Sequence, residues 1–375
     1  MQISVSSRRY DWVLLSAIIG LSGWSLFHLY TITFPGETYY FFRQMIWVGI
    51  GIGFMFLFSW LKISFWEKGA YFFYGAIFLF LLLVLIRGEG THGVQRWLRI
   101  GIIRFQPSEF AKLSLIIILS RLLASGEGGE GISWKQIGFS FFFTFIFLIL
   151  VARQPDLGSA LLFLPLCLGI LFLAGISFKR LLVILGIGSS LLPLFYFLLH
   201  PYQKMRILTF LNPGRDPLGT GWSALQSKIA LGSGKLIGKG IGGALHTQRG
   251  FLPLPFTDFI FASLGEEWGF MGVLLLLGLY FIIMARGIRI ARQENTSFAR
   301  LLSGGIITLL FLQVFINIGM VAGMMPVTGM PLPLISYGGS STLMFFTGIG
   351  ILLSIKRFRG GSGVRLLTAC FFNRL

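Results

Sequence analysis

Acidic residues are scarce. Thirteen Asp and Glu stand against 31 Lys and Arg in 375 residues, and charged residues of both signs make up only 12% of the chain. A soluble globular domain carries about 25%, so this composition argues against a fold that lives in water. Only two cysteines occur, Cys167 and Cys370, which excludes a disulfide framework and a thiolate metal site. The four histidines are scattered, with no HExxH or comparable ligand pair. Disorder requires low hydrophobicity, and here 55% of the residues are hydrophobic. A net charge of +18 on a soluble chain would suggest nucleic acid. On a chain this apolar it suggests a membrane, and no nucleic-acid partner is expected.

Long apolar runs dominate what is present. A bilayer core takes about 20 mostly apolar residues per helix. Ten such stretches can be read: 12–30, 43–61, 70–87, 108–124, 136–152, 157–175, 180–199, 260–285, 300–323 and 332–355. The expected fold class is all-α, a polytopic integral membrane protein with ten transmembrane helices. One domain is expected over 1–375, with a large extracytoplasmic loop, about 200–259, between the seventh and eighth helices. The first run is long and no small-x-small cleavage site follows it, so it reads as a retained helix. Basic residues such as Arg8, Arg9, Lys62, Lys68, Arg121, Arg286, Lys356, Arg357, Arg365 and Arg374 collect on one side of this topology. By the positive-inside rule that side is the cytoplasm, and both termini face it. The basic tail after about 356 is expected to rest on anionic headgroups.

The outward loop is rich in proline and glycine, yet Phe210, Trp222, Ile229 and Phe251 are spread through it. Short helices and re-entrant pieces are expected there rather than disorder. Its stretch Gly238-Lys-Gly-Ile-Gly-Gly243 matches GxGxxG. It lacks the flanking strand, the opening helix and the acidic residue about 20 positions on, so a nucleotide site is not expected.

Ionisable residues at membrane depth are functional candidates by default. Glu109 and Lys112 share one face of the fourth run, as an internal ion pair or as part of a substrate cavity. Asp156 follows Arg153-Gln-Pro and can cap the next helix, take part in chemistry, or both. Asp258 is the sharpest candidate: a lone carboxylate at the apolar edge of a basic loop, where burial and cations together can tune a general base. Its bland alternative is an N-cap. Glu266 and Glu267, deeper in the same run, default to structural hydrogen bonding. Arg96, Arg99, Arg104, Lys204, Arg206, Arg215, Lys228, Lys235 and Lys239 lie on the outward face, where the positive-inside rule disfavours them. Such clusters bind phosphate oxygens, so an anionic, pyrophosphate-bearing lipid is the expected substrate class, against simple headgroup contact.

Eight segments carry a resemblance when taken in order: Gln95-Arg-Trp97; Phe105-Gln-Pro-Ser-Glu109 with Lys112; Gln154-Pro-Asp-Leu-Gly158; Gln226-Ser-Lys-Ile-Ala230; Gly232-Ser-Gly234; Thr257-Asp-Phe-Ile-Phe261; Gly265-Glu-Glu267; and Pro333-Leu-Ile-Ser-Tyr-Gly-Gly-Ser-Ser341. Over nearly its whole length the chain resembles the SEDS family (shape, elongation, division and sporulation). Pro326-Val-Thr-Gly-Met-Pro-Leu-Pro333 looks like the rod-shape branch rather than the division branch. One departure stands out: the position two before Asp258, usually histidine in the family, is Phe256.

The resemblance implies a peptidoglycan glycosyltransferase of the bacterial cytoplasmic membrane that polymerises lipid II at the outer face, for cell elongation and rod shape. It implies Asp258 as the catalytic base. It implies a substrate-binding set of Arg96, Arg104, Glu109, Lys112, Asp156, Lys204, Arg206, Lys228, Lys239, Ser336 and Ser340. A class B penicillin-binding protein, a transpeptidase, is the implied partner within the elongation machinery. No cofactor is required, although a divalent cation, magnesium or manganese, would suit a pyrophosphate leaving group. A lipid II flippase is the rival; it would need polar residues along a whole transmembrane path, whereas those here cluster toward the outer half. A non-catalytic scaffold would leave Asp258 and the outward cations without work.

Overall fold

A computed structural model describes residues 10–33, 38–89, 95–101, 103–125, 132–199, 201–212, 216 and 219–359. Arg8, Arg9, Arg215 and the basic tail from 360 lie outside the described residues. Helices occupy all ten apolar stretches: α1 (Trp12–Thr33), α2 (Thr38–Ser59), α3 (Ile63–Arg87), α4 (Pro107–Ala124), α5 (Trp134–Ala152), α6 (Leu157–Leu173), α7 (Phe178–Leu198), then α11 (Ile260–Arg292), α12 (Ser297–Val321) and α13 (Gly339–Phe358). Seven of them, α1, α2, α3, α5, α11, α12 and α13, are long and apolar enough to cross a membrane. Helix α6 has only 17 residues. Helix α4 carries Glu109, Lys112 and Arg121; α3, α6, α12 and α13 bury it along most of its length, Glu109 and Lys112 included, while Arg121 is part-buried.

Local chemistry sets the helix starts. Pro107 opens α4, where its missing N–H costs nothing. Ser133 and Gln136 form a reciprocal capping box at α5. Close packing falls at small residues: α2 lies along α13, with Gly51 against the Phe346 ring and Gly350 against the Met55 backbone. At one end of the bundle Asp11 joins three elements, 2.7 Å from Arg286 and 3.0 Å from Lys356. Burial alone would raise its carboxyl, but the two cations outweigh burial and hold it below the ordinary value.

Two features depart from the expected all-α bundle. A small antiparallel hairpin, β1 (Leu98–Ile100) with β2 (Ile103–Phe105), precedes α4 and pairs Arg99 with Arg104. The period-two alternation of apolar and basic residues, with Gly101 at φ +62° in the turn, suits a hairpin too short to span a membrane. The long loop between α7 and α11 contains α8 (Pro201–Leu211), α9 (Thr220–Ser233) and the single turn α10 (Leu245–Gln248), in keeping with the expected short helices.

The second departure lies inside α11, expected as one uninterrupted helix over 260–285. It breaks at Gly269, which sits at φ +63° and ψ −163°, a conformation essentially reserved for glycine. Residues 235–240 cross the break and take over its backbone bonds. Lys239 and Gly240 donate their N–H groups to the Glu266 and Glu267 carbonyls at 3.0 and 3.1 Å; Phe270 and Met271 donate theirs to the Lys235 and Leu236 carbonyls at 2.9 and 3.0 Å. A Cβ at Gly238 would lie 2.2 Å from the Glu267 carbonyl oxygen. The GxGxxG-like stretch is therefore glycine-rich because it packs backbone against backbone.

The two glutamates complete this junction. Glu266 accepts from Lys239 Nζ at 2.7 Å and from the His246 and Thr247 backbone N–H groups at 3.0 and 3.3 Å. Glu267 bonds His28 Nδ1 at 2.6 Å and accepts from Thr31 Oγ1 at 2.8 Å and the Gly242 N–H at 2.9 Å. Both are structural, as their default reading held. Gly269→Ala is expected to lower the melting temperature in detergent, because a Cβ there would meet the Gly238 nitrogen at 2.2 Å in addition to the roughly 1–3 kcal/mol of backbone strain. A melting temperature equal to that of the unsubstituted protein would contradict this role for the break.

Candidate active site

Asp258 lies in the turn leading into α11, half-buried, at the end of the bundle opposite Asp11. Three short contacts fix this turn against the segment before α13. Ser336 Oγ donates to the Thr257 carbonyl at 2.6 Å, and the Tyr337 N–H donates to the Phe256 carbonyl at 2.8 Å. Asn317 Nδ2, fully buried on α12, donates to the Asp258 carbonyl at 2.9 Å and the Met330 carbonyl at 2.7 Å. Gln44 on α2 braces the same segment, donating to Thr342 Oγ1 at 3.1 Å and accepting from the Gly338 N–H at 3.2 Å. Leu254 and Leu334 flank the site at φ +46° and +63°, strained positions for L-residues that their surroundings hold in place.

The electrostatics of Asp258 come from five sources. Burial pushes its carboxyl up to about 6; the nearby Asp156 charge adds to this, while a Thr257 hydrogen bond and the Arg96 and Arg206 charges oppose it. Asp156 caps α6, its Oδ1 accepting from the Ser159 N–H at 3.3 Å, and lies 3.9 Å from Arg96 Nη1. The expected cap is present, and the same carboxylate is close enough to act on Asp258 through space. Arg96 is anchored by donating to the Gln154 carbonyl at 3.4 Å and to the Pro155 carbonyl. Arg206 on α8 donates to the Val327 carbonyl at 3.3 Å. It lines a small cavity, about 20 Å3, with Lys228 of α9 and Thr209. Phe256 stacks on Tyr40 with ring centroids 4.8 Å apart and offers Asp258 no hydrogen bond.

The rest of the expected set divides. Glu109 and Lys112 form a buried pair at 2.6 Å, and the second Glu109 oxygen has no protein partner among the described residues. Ser340 Oγ accepts from the Gln106 N–H at 2.9 Å and so ties the start of α4 to α13. Lys239 is taken up by Glu266. Lys204 donates to the Phe197 carbonyl at 3.3 Å and sits over the Tyr196 ring. Arg104 is exposed on the hairpin. These last three are not gathered around Asp258. Among the described residues no group of three or more His, Cys, Asp or Glu is placed to hold a metal. Sequence reasoning missed Asn317, Gln44 and His28. Their signal was a strongly polar side chain inside an apolar run.

A carboxyl raised by burial penalises the folded state once it ionises. The stability it contributes falls as pH rises from the ordinary carboxylate value through about 6, and stays low above that. Asp258→Asn is therefore expected to raise thermal stability at pH 7.5 by on the order of 1–3 kcal/mol, because a tenfold change in acidity is worth about 1.4 kcal/mol and partial exposure reduces it. The gain should fade below about pH 4. A destabilised variant at neutral pH would contradict the burial of this charge.

A family model described as cell cycle protein, covering FtsW, RodA and SpoVE, matches residues 11–360. The peptidoglycan glycosyltransferase MrdB of Escherichia coli K12 is 41% identical over 318 residues, covering 84% of this chain and 85% of that protein. A chain solved in a study of how a peptidoglycan synthase complex coordinates polymerization and crosslinking superposes with TM-score 0.81 at 33% identity, covering 94% of this chain and 99% of that one. The rod shape determining protein RodA of Thermus thermophilus superposes with TM-score 0.70 at 30% identity, over 96% and 99% of the two chains. With the match running through every helix of the bundle and through the turn that carries Asp258, this chain belongs to the FtsW/RodA/SpoVE family of cell cycle proteins.

Proposed function

We propose that this chain is a peptidoglycan glycosyltransferase that polymerises lipid II into β-1,4-linked glycan at the outer face of the bacterial cytoplasmic membrane. One observation carries the reading: a half-buried carboxylate, raised to about 6 and facing two arginines, sits where the long loop meets the bundle. A general base works best with its proton affinity near the working pH. Asp258 takes the proton from the 4-hydroxyl of the acceptor GlcNAc as that oxygen bonds to the anomeric carbon of the donor MurNAc. The bond from that carbon to the pyrophosphate oxygen breaks with inversion, and undecaprenyl pyrophosphate leaves with the electron pair. Arg206, Arg96 and Lys228 stabilise the departing charge, since fixed cations aimed at developing charge act strongly in a water-poor site.

In this reading all ten long helices span the bilayer, both termini are cytoplasmic, and Asp258 with α8 and α9 lies on the outer side. The Glu109–Lys112 pair and Ser340 form the floor of the cavity. A magnesium ion bound with the substrate phosphates would take a carboxylate from Asp156, leaving Asp258 free as the base, and would add to the neutralisation of the departing pyrophosphate. A class B penicillin-binding protein crosslinks the product in the elongation machinery. That fits relatives named as glycosyltransferases and a structural neighbour from a complex that couples polymerization with crosslinking.

Purified protein with its transpeptidase partner is expected to convert lipid II into glycan strands on a gel, and Asp258→Ala to abolish the product while the protein stays folded, melting no lower than the unsubstituted protein. Polymerisation by the alanine variant at the unsubstituted rate would exclude Asp258 as the base. Arg206→Gln is expected to cut the rate by about 10²–10³, the effect of losing one transition-state donor. Lys204→Gln should leave the rate within about threefold; equal losses for the two would remove Arg206 from the leaving-group site.

A further inference from the structure

Helices α2 and α3 are consecutive in the chain yet pack on different partners. Helix α2 lies against α13 and α1, and α3 against α4 and α5. Where they part, around Trp60–Ile63, they leave an open groove of about 700 Å3, within the range of ligand sites. Its walls are Trp60, Leu61, Phe65, Phe72 and Phe73. Trp60, Phe65 and Phe72 are well exposed, Phe72 by 74%. The rim is cationic: Lys62 and Lys68 both line the groove and both are exposed. Among the described residues neither pairs with a carboxylate, although Asp11, Glu109 and Glu266 all hold cations elsewhere.

The surroundings reinforce this polarity. Glu67 is the one acidic residue between 60 and 73. It is half-buried, and its carbonyl accepts from Arg121 Nη1 at 2.7 Å. Arg357 stands over the Trp60 ring at 3.8 Å, which adds a third cation beside one wall of the groove. The start of α3, at Lys62, has no side-chain cap. This corner lies at the end of the bundle away from Asp258, with the C-terminal ends of α2, α4 and α13.

An occupant of this groove must be apolar along its length and anionic at one end. We propose that the α2–α3 groove binds an anionic phospholipid of the leaflet opposite Asp258, with its phosphate between Lys62 and Lys68 and an acyl chain against Phe65, Phe72 and Phe73. Unpaired lysines beside a lipid-facing aromatic wall suit a headgroup better than a second helix, which would have to bring acidic residues to this depth. A surface lysine favours an anionic lipid by a few fold, so two should give on the order of tenfold preference.

The test measures lipid retention by the full-length protein in native mass spectrometry. The probes are phosphatidylglycerol, phosphatidylcholine with the same acyl chains, and glycerol phosphate as a headgroup without chains. Phosphatidylglycerol is expected to be retained about tenfold over phosphatidylcholine, and glycerol phosphate not at all. Lys62→Gln/Lys68→Gln should bring the two lipids within about twofold. Ser64→Glu, at an exposed rim position in the first turn of α3, should do the same while favouring the helix, since an acid suits a helix start. That second variant separates loss of the site from loss of the fold. Equal retention of both lipids by the unsubstituted protein, an undiminished preference in both variants, or binding of glycerol phosphate alone would overturn the proposal.

Discussion

Backbone groups inside a bilayer have no water to bond, so a helix can break there only where other backbone takes its place. The break at Gly269 meets that constraint with residues 235–240, which supply both the donors and the acceptors that α11 gives up. Much of the end of the molecule that carries Asp258 follows from it. The loop folds back to reach the break, and glycines at 234, 238 and 269 let the backbones approach. Glu266 and Glu267 hold the loop's far side and α1 through His28. With α11 broken, its first two turns form a separate short piece, and Asp258 stands just before it, between the loop and the bundle.

Charge is handled differently at the two ends. Asp11 is neutralised by Arg286 and Lys356 and ties α1, α11 and α13 together. Its carboxyl lies below the ordinary value, so its contribution is complete at neutral pH and is lost as pH falls through that lowered value. Asp258 is held up instead, by burial and by Asp156, with the arginines correcting only in part. One carboxylate locks the bundle and the other stays ready to accept a proton. The difference lies in the distance of the cations: Arg286 and Lys356 bond Asp11 directly, whereas Arg96 and Arg206 are anchored on carbonyls and reach Asp258 through space.

Helix positions were legible in the sequence because apolar runs of membrane length admit few other readings. Asp258 was legible as a lone acid at an apolar edge, and Asp156 as a cap. The hairpin was missed because three-residue strands leave almost no periodic signal between longer helices. The break was missed because Gly269 sits in a run that is otherwise helical, and its φ is set by a segment 30 residues earlier that only tertiary contact brings near. The same contact reassigns Lys239: by composition it belongs with the outward cations, yet Glu266 holds it at 2.7 Å. Asn317 carries no charge, so a search for ionisable groups passes over it, although it fixes the backbone of Asp258.

In the proposed mechanism the ionisation of Asp258, set by burial, Asp156 and the two arginines, governs polymerisation. The dependence of polymerisation rate on pH tests it most directly, comparing the unsubstituted protein with Asp156→Asn. A base must be deprotonated to act, so the rate should rise through about pH 6 and level off above it. Removing the Asp156 charge should move that rise to lower pH, whatever it does to the maximal rate. A rise at the same pH in both proteins, or a rate indifferent to pH between 5 and 7, would contradict the account.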